Sequence, residues 1–152
     1  PWARSKRPGR GRSLADSAEV SALTSSSPVS GCKVLIVEDS RATRELLAAA
    51  IEVLDGVEVF TVVSGFEALK VLPRHRFSLI ITDINMPDIN GLELINFVKK
   101  NPHYRQTPLF VVTTEGREQD RDRGLQLGAD EYLVKPFQSE ILTALARRYL
   151  KL

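Results

Sequence analysis

Cys32 is the only cysteine of the chain, so no intramolecular disulfide and no Cys-based zinc site can form, and a reducing cytosol is the natural setting. Cys32 itself reads as a small, half-buried side chain. Long apolar runs are missing too. None approaches the roughly 20 residues that a membrane span requires, and the N-terminus lacks the apolar stretch of a signal peptide. A soluble, cytoplasmic protein is expected. What is present, 43% hydrophobic and 26% charged residues in a chain of 152, is enough for one core and leaves room for only a short appendage.

The net charge of +2 is spread unevenly. Residues 1–31 carry Arg4, Lys6, Arg7, Arg10 and Arg12 against Asp16 and Glu19, and the remaining 16 basic and 17 acidic residues leave 32–152 at −1. PWARSKRPGRGRS and TSSSPVSG are rich in Ser, Pro, Gly and Arg, a composition that cannot offset its own ordering entropy. Residues 1–31 therefore read as a flexible basic tail or linker, and 32–152 as the folded domain. Within the tail, SLADSAEVSAL has the start of a capping box and could form a short helix, marginal without a partner. A basic tail could also touch nucleic acid or an acidic protein face. The first residue is Pro rather than Met, which suggests a piece of a longer or processed chain.

From Cys32 onward apolar runs alternate with helix-period segments. KVLIV (33–37), VEVFTVV (57–63), FSLIITD (77–83), PLFVVT (108–113) and EYLV (131–134) read as strands. SRATRELLAAAIEVL (40–54), GFEALKVLPRH (65–75), GLELINFVKKN (91–101), REQDRDRGLQLG (117–128) and a segment from about Ser139 read as helices. Ser40 is a candidate cap, and Leu46, Leu47, Ala50, Ile51 and Leu54 are expected on one buried helical face. Five such alternations imply right-handed crossovers and a parallel sheet covered on both faces. The expected fold is a doubly wound five-stranded sheet, flavodoxin-like, in the order 2-1-3-4-5.

In such a sheet ligands bind at the carboxyl ends of the strands. The residues there are Glu38 and Asp39, Asp83, Thr113 and Thr114, and Lys135. Two carboxylates about 4 Å apart repel by roughly 4 kcal/mol at an effective dielectric near 20, so three acids facing one lysine call for a cation. With oxygen donors only and no His or Cys nearby, Mg²⁺ or Mn²⁺ is favoured over zinc or copper. A hard cation, an ammonium and a threonine hydroxyl suit phosphoryl oxygens. A carboxylate can act as nucleophile to give an aspartyl phosphate, and Asp83, leaving the central strand, is best placed for it. Taken singly, the same acids could cap helices or pair with Lys135.

VLIVEDS, LIITDINMPDINGLEL, PLFVVTTEG and GADEYLVKPF are together similar, in order and spacing, to the receiver domains of two-component response regulators, above all the CheY-like ones. The resemblance covers residues 33 to about 150. It implies that Asp83 is the phosphoacceptor for a histidine kinase's phosphohistidine, or that of a phosphotransfer domain. Asp39, Asp83 and the main-chain carbonyl of Asn85 would bind Mg²⁺ or Mn²⁺, with Glu38 acting through water. Thr113 and Lys135 would contact the phosphoryl oxygens, and the peptide bond before Pro136 would be cis. Tyr132 would switch inward with Thr113, and the face of helix 4, strand 5 and helix 5 would control a downstream protein target. Asn85 and Glu115 would tune the phosphoryl lifetime. Thr114 stands where a smaller residue is usual, and the charged REQDRDR helix departs from a flagellar motor regulator.

The resemblance also implies a monomer or weak dimer that catalyses its own phosphorylation and dephosphorylation, with a chemotaxis-like output, no DNA-binding domain and no membrane partner. Alternatives are a receiver module of a hybrid chemotaxis-type kinase acting as a phosphate sink, and an inert receiver used for interaction. A dinucleotide or P-loop protein would need a glycine-rich motif where the chain has VEDSRATR. A dehalogenase-type phosphatase would want a second acid at the position of Asn85.

Overall fold

The computed structural model describes residues 3–4 and 31–152; the expected SLADSAEVSAL helix lies outside them. Among the described residues, five parallel strands alternate with five α-helices: β1 (Cys32–Val37), α1 (Arg41–Glu52), β2 (Val57–Val62), α2 (Gly65–Val71), β3 (Leu79–Thr82), α3 (Gly91–Lys100), β4 (Leu109–Thr113), α4 (Glu118–Leu127), β5 (Glu131–Val134) and α5 (Ser139–Leu150). The parallel strands lie in the order 2-1-3-4-5, the doubly wound, flavodoxin-like arrangement that the alternation predicts. At the outer edge a two-residue strand, Ala3–Arg4, pairs antiparallel with β2, Ala3 opposite Thr61 and Arg4 opposite Phe60. Two residues read as linker thus close part of an edge whose N–H and C=O groups would otherwise be open.

Alternating side chains of each strand feed two separate cores, as a sheet covered on both faces requires. On one side Val34, Ile36, Leu79, Ile81, Phe110 and Val112 pack with Leu47, Ile51, Leu142 and Ala146 of α1 and α5. On the other, Leu35, Val37, Phe60, Ile80 and Val111 meet Val71 of α2, Leu94, Ile95 and Val98 of α3, and Tyr132. Leu46, expected on the buried face of α1, is 55% exposed. The stripe Leu47, Ala50, Ile51 and Leu54 already completes the apolar arc at 3.6-residue spacing, and Leu46 falls on its flank. β3 is shorter than the 77–83 read, running Leu79–Thr82, with Phe77 buried ahead of it. No described helix is long and apolar enough to cross a membrane.

Candidate functional site

The strand ends are held level by the sheet itself. Glu38 donates its backbone N–H to Val62 O at 3.1 Å, Asp83 to Val37 O at 3.3 Å and Lys135 to Thr113 O at 2.7 Å. Each residue just past a strand thereby extends the ladder of its neighbour and reaches the same rim. Beyond β1, Ser40 caps α1 by accepting from Thr43 N at 3.4 Å, while Ser40 N donates to Glu38 Oε2 at 3.0 Å. Beyond β3, the chain curls back on itself: a Cβ at Gly91 would fall 2.1 Å from the Asp83 carbonyl oxygen, so no side chain fits at the first residue of α3.

Lys135 joins the two acidic turns. Its Nζ lies 2.9 Å from Asp83 Oδ2 and 3.2 Å from Glu38 Oε1, and all three side chains are largely or fully shielded from solvent. The other oxygen, Asp83 Oδ1, accepts from Ile84 N at 2.6 Å and Asn85 N at 3.0 Å, which fixes the carboxylate's rotation. Burial raises the Glu38 carboxyl above its ordinary pKa, and the Ser40 N–H and Lys135 ammonium only partly offset this. For Lys135 burial works toward a lower pKa, but the Asp83 and Glu38 carboxylates outweigh it and hold the ammonium charged to higher pH. The Lys135–Pro136 peptide bond is cis. A cavity of about 310 Å³ beside Lys135 is lined by Thr43, Leu46, Thr114, Lys135, Pro136 and Phe137.

The other residues read from the sequence form a second group centred on Glu115. Its backbone N–H donates to Thr113 Oγ1 at 3.3 Å, its carbonyl accepts from Tyr132 OH at 2.6 Å, and its Oε2 accepts from Asn85 Nδ2 at 2.7 Å. One residue therefore ties together Thr113, Tyr132 and Asn85, and two of its three bonds use main-chain atoms that sequence cannot advertise. Tyr132 is 6% exposed. Its ring packs against Gly124, where a Cβ would stand 3.1 Å from the ring, with the Arg121 guanidinium 5.8 Å from its centroid. Burial raises the Tyr132 phenol pKa, and Asp120 and Glu115 add to the effect.

The three acids are less clustered than expected: among the described residues no three His, Cys, Asp or Glu side chains converge into a ready cation site. Lys135 Nζ lies between Asp83 and Glu38, while Asp39 is exposed. The donors still fit a hard cation. Among the described residues neither the Asp39 carboxylate nor the Asn85 carbonyl has a hydrogen-bond partner, and both lie on turns flanking Asp83. Two carboxylates and one carbonyl make an all-oxygen set that water can complete, as small divalent cations prefer. Two contributors were not foreseen. Arg44 donates to the carbonyl oxygens of Glu38 at 3.0 Å and Asp39 at 3.4 Å, steadying the acidic turn; a cation on the first turn after paired acids was the available signal. Asp88 bonds to α2, 22 and 23 residues away in sequence, and no local pattern reports such a contact.

Comparison with known proteins agrees with this geometry. The family model of the response regulator receiver domain matches residues 34–147. The response regulator protein FleR of Pseudomonas aeruginosa is 39% identical over 117 residues, which are 77% of this chain but 24% of FleR. A chemotaxis protein CheY homolog of Campylobacter jejuni is 35% identical over 111 residues, 72% of this chain and 85% of that protein. Among solved structures, the chemotaxis response regulator CheY4 of Vibrio cholerae superposes with a TM-score of 0.71 at 36% identity, covering 78% of this chain and 98% of that one. The Mn²⁺-bound form of response regulator Rcp1 gives 0.72 at 25% identity, over 79% and 95%. The chain spans about a quarter of FleR, so the match concerns the receiver unit. On the matched motifs, the strand order and the shared rim, the chain belongs to the response regulator receiver domain family.

Proposed function

We propose that this protein accepts a phosphoryl group on Asp83 from the phosphohistidine of a histidine kinase or phosphotransfer domain and relays its phosphorylation state to a partner protein. The observation that carries the reading is the buried Asp83–Lys135–Glu38 constellation at the strand ends, with Lys135 Nζ 2.9 Å from Asp83 Oδ2. In the transfer an oxygen of Asp83 bonds to phosphorus as the phosphorus–nitrogen bond of the donor breaks, and the imidazole nitrogen keeps the electron pair. Asp83 is aimed by the Ile84 and Asn85 amides, and Lys135 offers its ammonium to the growing charge on the phosphoryl oxygens. A Mg²⁺ or Mn²⁺ ion held by Asp39, Asp83 and the Asn85 carbonyl, with Glu38 acting through water, would supply further charge neutralisation. The Mn²⁺-bound form of the relative Rcp1 supports a divalent cation, without assigning its ligands here.

Thr113 carries the signal outward. Its oxygen already accepts from Glu115 N, leaving its proton for a phosphoryl oxygen. A move of Thr113 toward the phosphoryl group would strain or break that bond, displace Glu115 and bias Tyr132, whose hydroxyl is fixed to the same residue. Tyr132 is buried with its hydroxyl on the Glu115 carbonyl, so displacement of Glu115 would shift the balance between this ring position and others. The face of α4, β5 and α5 would report the change to a downstream protein. Asn85 and Glu115, bonded to one another, would set how readily water reaches the aspartyl phosphate.

The decisive experiment is labelling by acetyl phosphate in the presence of Mg²⁺. Wild type is expected to be labelled and Asp83→Asn not at all. Equal labelling of both would remove Asp83 from the role.

A further inference from the structure

The loop from Ile84 to Asn90 carries the Asn85 carbonyl, yet Asp83 itself anchors only its first two residues. Its far half is fastened elsewhere. Asp88 Oδ1 accepts from Gly65 N at 3.2 Å and Asp88 Oδ2 from Phe66 N at 2.9 Å, so both carboxylate oxygens hold the start of α2. Burial raises the Asp88 pKa, but this is outweighed by backbone N–H groups, Phe66 first, and the carboxyl lies below its ordinary value. The next residue seats against the same point: a Cβ at Gly65 would come 2.8 Å from Ile89 Cβ and 3.2 Å from Ile89 O. Two independent features, a forked hydrogen bond and a glycine with no room for a side chain, therefore dock the loop onto α2. The other end of the loop is closed by Asn90, whose Oδ1 accepts from Leu92 N at 2.7 Å to start α3.

We infer that Asp88 is a positioning residue for the cation: by clamping the 84–90 loop onto the first turn of α2, it sets where the Asn85 carbonyl stands relative to Asp39 and Asp83. The inference rests on the phosphoacceptor reading and extends it to a residue outside the acidic rim. Asp88 touches neither cation nor phosphoryl group. Its effect passes through the two loop residues Met86 and Pro87 that separate it from Asn85, as outer-shell partners of metal ligands act. Linkage makes the coupling reciprocal. If the clamp favours the cation, the cation tightens the clamp, and the amides of Gly65 and Phe66 become more protected when it binds. The start of α2, remote from the α4–β5–α5 face, is thereby a second place where occupancy of the site is felt.

The test uses the full chain and Mg²⁺ alone, with no phosphodonor. Calorimetric titration of wild type, Asp88→Ala and Asp88→Asn is paired with hydrogen exchange at the Gly65 and Phe66 amides, with and without Mg²⁺. Asp88→Ala is expected to raise the Mg²⁺ Kd about tenfold, the lower end for outer-shell partners, and to abolish the Mg²⁺ dependence of exchange at Phe66. Asp88→Asn keeps one acceptor oxygen and guards against a variant that fails to fold; it is expected to fall between the other two. Unchanged Kd in both variants, with wild type binding normally, overturns the clamp while leaving the phosphoacceptor reading intact. Failure of wild type itself to bind Mg²⁺ overturns both.

Discussion

Glu38 carries the plainest electrostatic cost in the molecule. It is 1% exposed, and burial holds its carboxyl above the ordinary value of 4.5 despite the Ser40 amide and Lys135. The folded chain therefore retains this proton at pH values where the unfolded chain has lost it. The resulting contribution to stability is complete below about 4.5 and is lost as pH rises through the raised folded value. Ionising this buried acid is a net cost above its raised folded pKa, so Glu38→Gln should raise the melting temperature at pH 7 by about a few degrees, an advantage that shrinks toward pH 4. Calorimetric melting at both pH values checks it, and a Gln variant less stable at pH 7 would contradict the sign. At this scale the strand-end residues were legible because each follows an apolar run. Glu115 was legible only as a side chain, since its links to Thr113 and Tyr132 use main-chain atoms. Asp88 was not legible, because its partners are remote in sequence.

Among the elements, α4 is the most weakly anchored. Its sequence EQDRDRGLQL has Gly124 as its only fully buried residue, whereas α5 buries Leu142, Ala146 and Leu150. Gly124 gives up helix propensity so that the Tyr132 ring can lie against it. Replacing it with Ala restores roughly 0.5–1 kcal/mol of propensity but puts a Cβ 3.1 and 3.2 Å from two ring atoms. The expected outcome is a net stability change under about 1 kcal/mol together with a displaced ring and a weakened bond to Glu115. Fluorine-19 spectra of fluorotyrosine-labelled protein would show the Tyr132 resonance shift; a ring unmoved by the Ala substitution would contradict the packing described for α4. Element identities were readable throughout 32–152 because apolar runs and helix-period stretches alternate, least plainly at α4, where Gly124 interrupts the pattern, and EYLV is a strand over the same residues as read. The position of Leu46 was not, since a fifth apolar residue beside a complete stripe can lie on either flank.

Taken whole, the acids Glu38, Asp39, Asp83, Asp88 and Glu115 follow the C-terminal ends of strands, while Arg74, His75, Arg76 and His103 line a cavity of about 450 Å³ at the opposite end of the sheet, in the connections leading into β3 and β4. The acids draw small cations toward their rim. Of the two sheet edges, one is formed by β5 and the other lies beside β2, which among the described residues is paired on its outer side only with Ala3–Arg4. Removal of residues 1–30 should therefore promote association through that edge, seen as concentration-dependent sedimentation absent from the full chain; identical sedimentation would mean the edge needs no cover. The two cores meet only through the sheet, yet the turns of the site drain into both, Glu38 and Lys135 leading to α1 and α5, Asp83 and Thr113 to α3 and α4. The strand-end turns therefore form a hinge shared by two leaves, and substitutions deep in either leaf are expected to disturb the site.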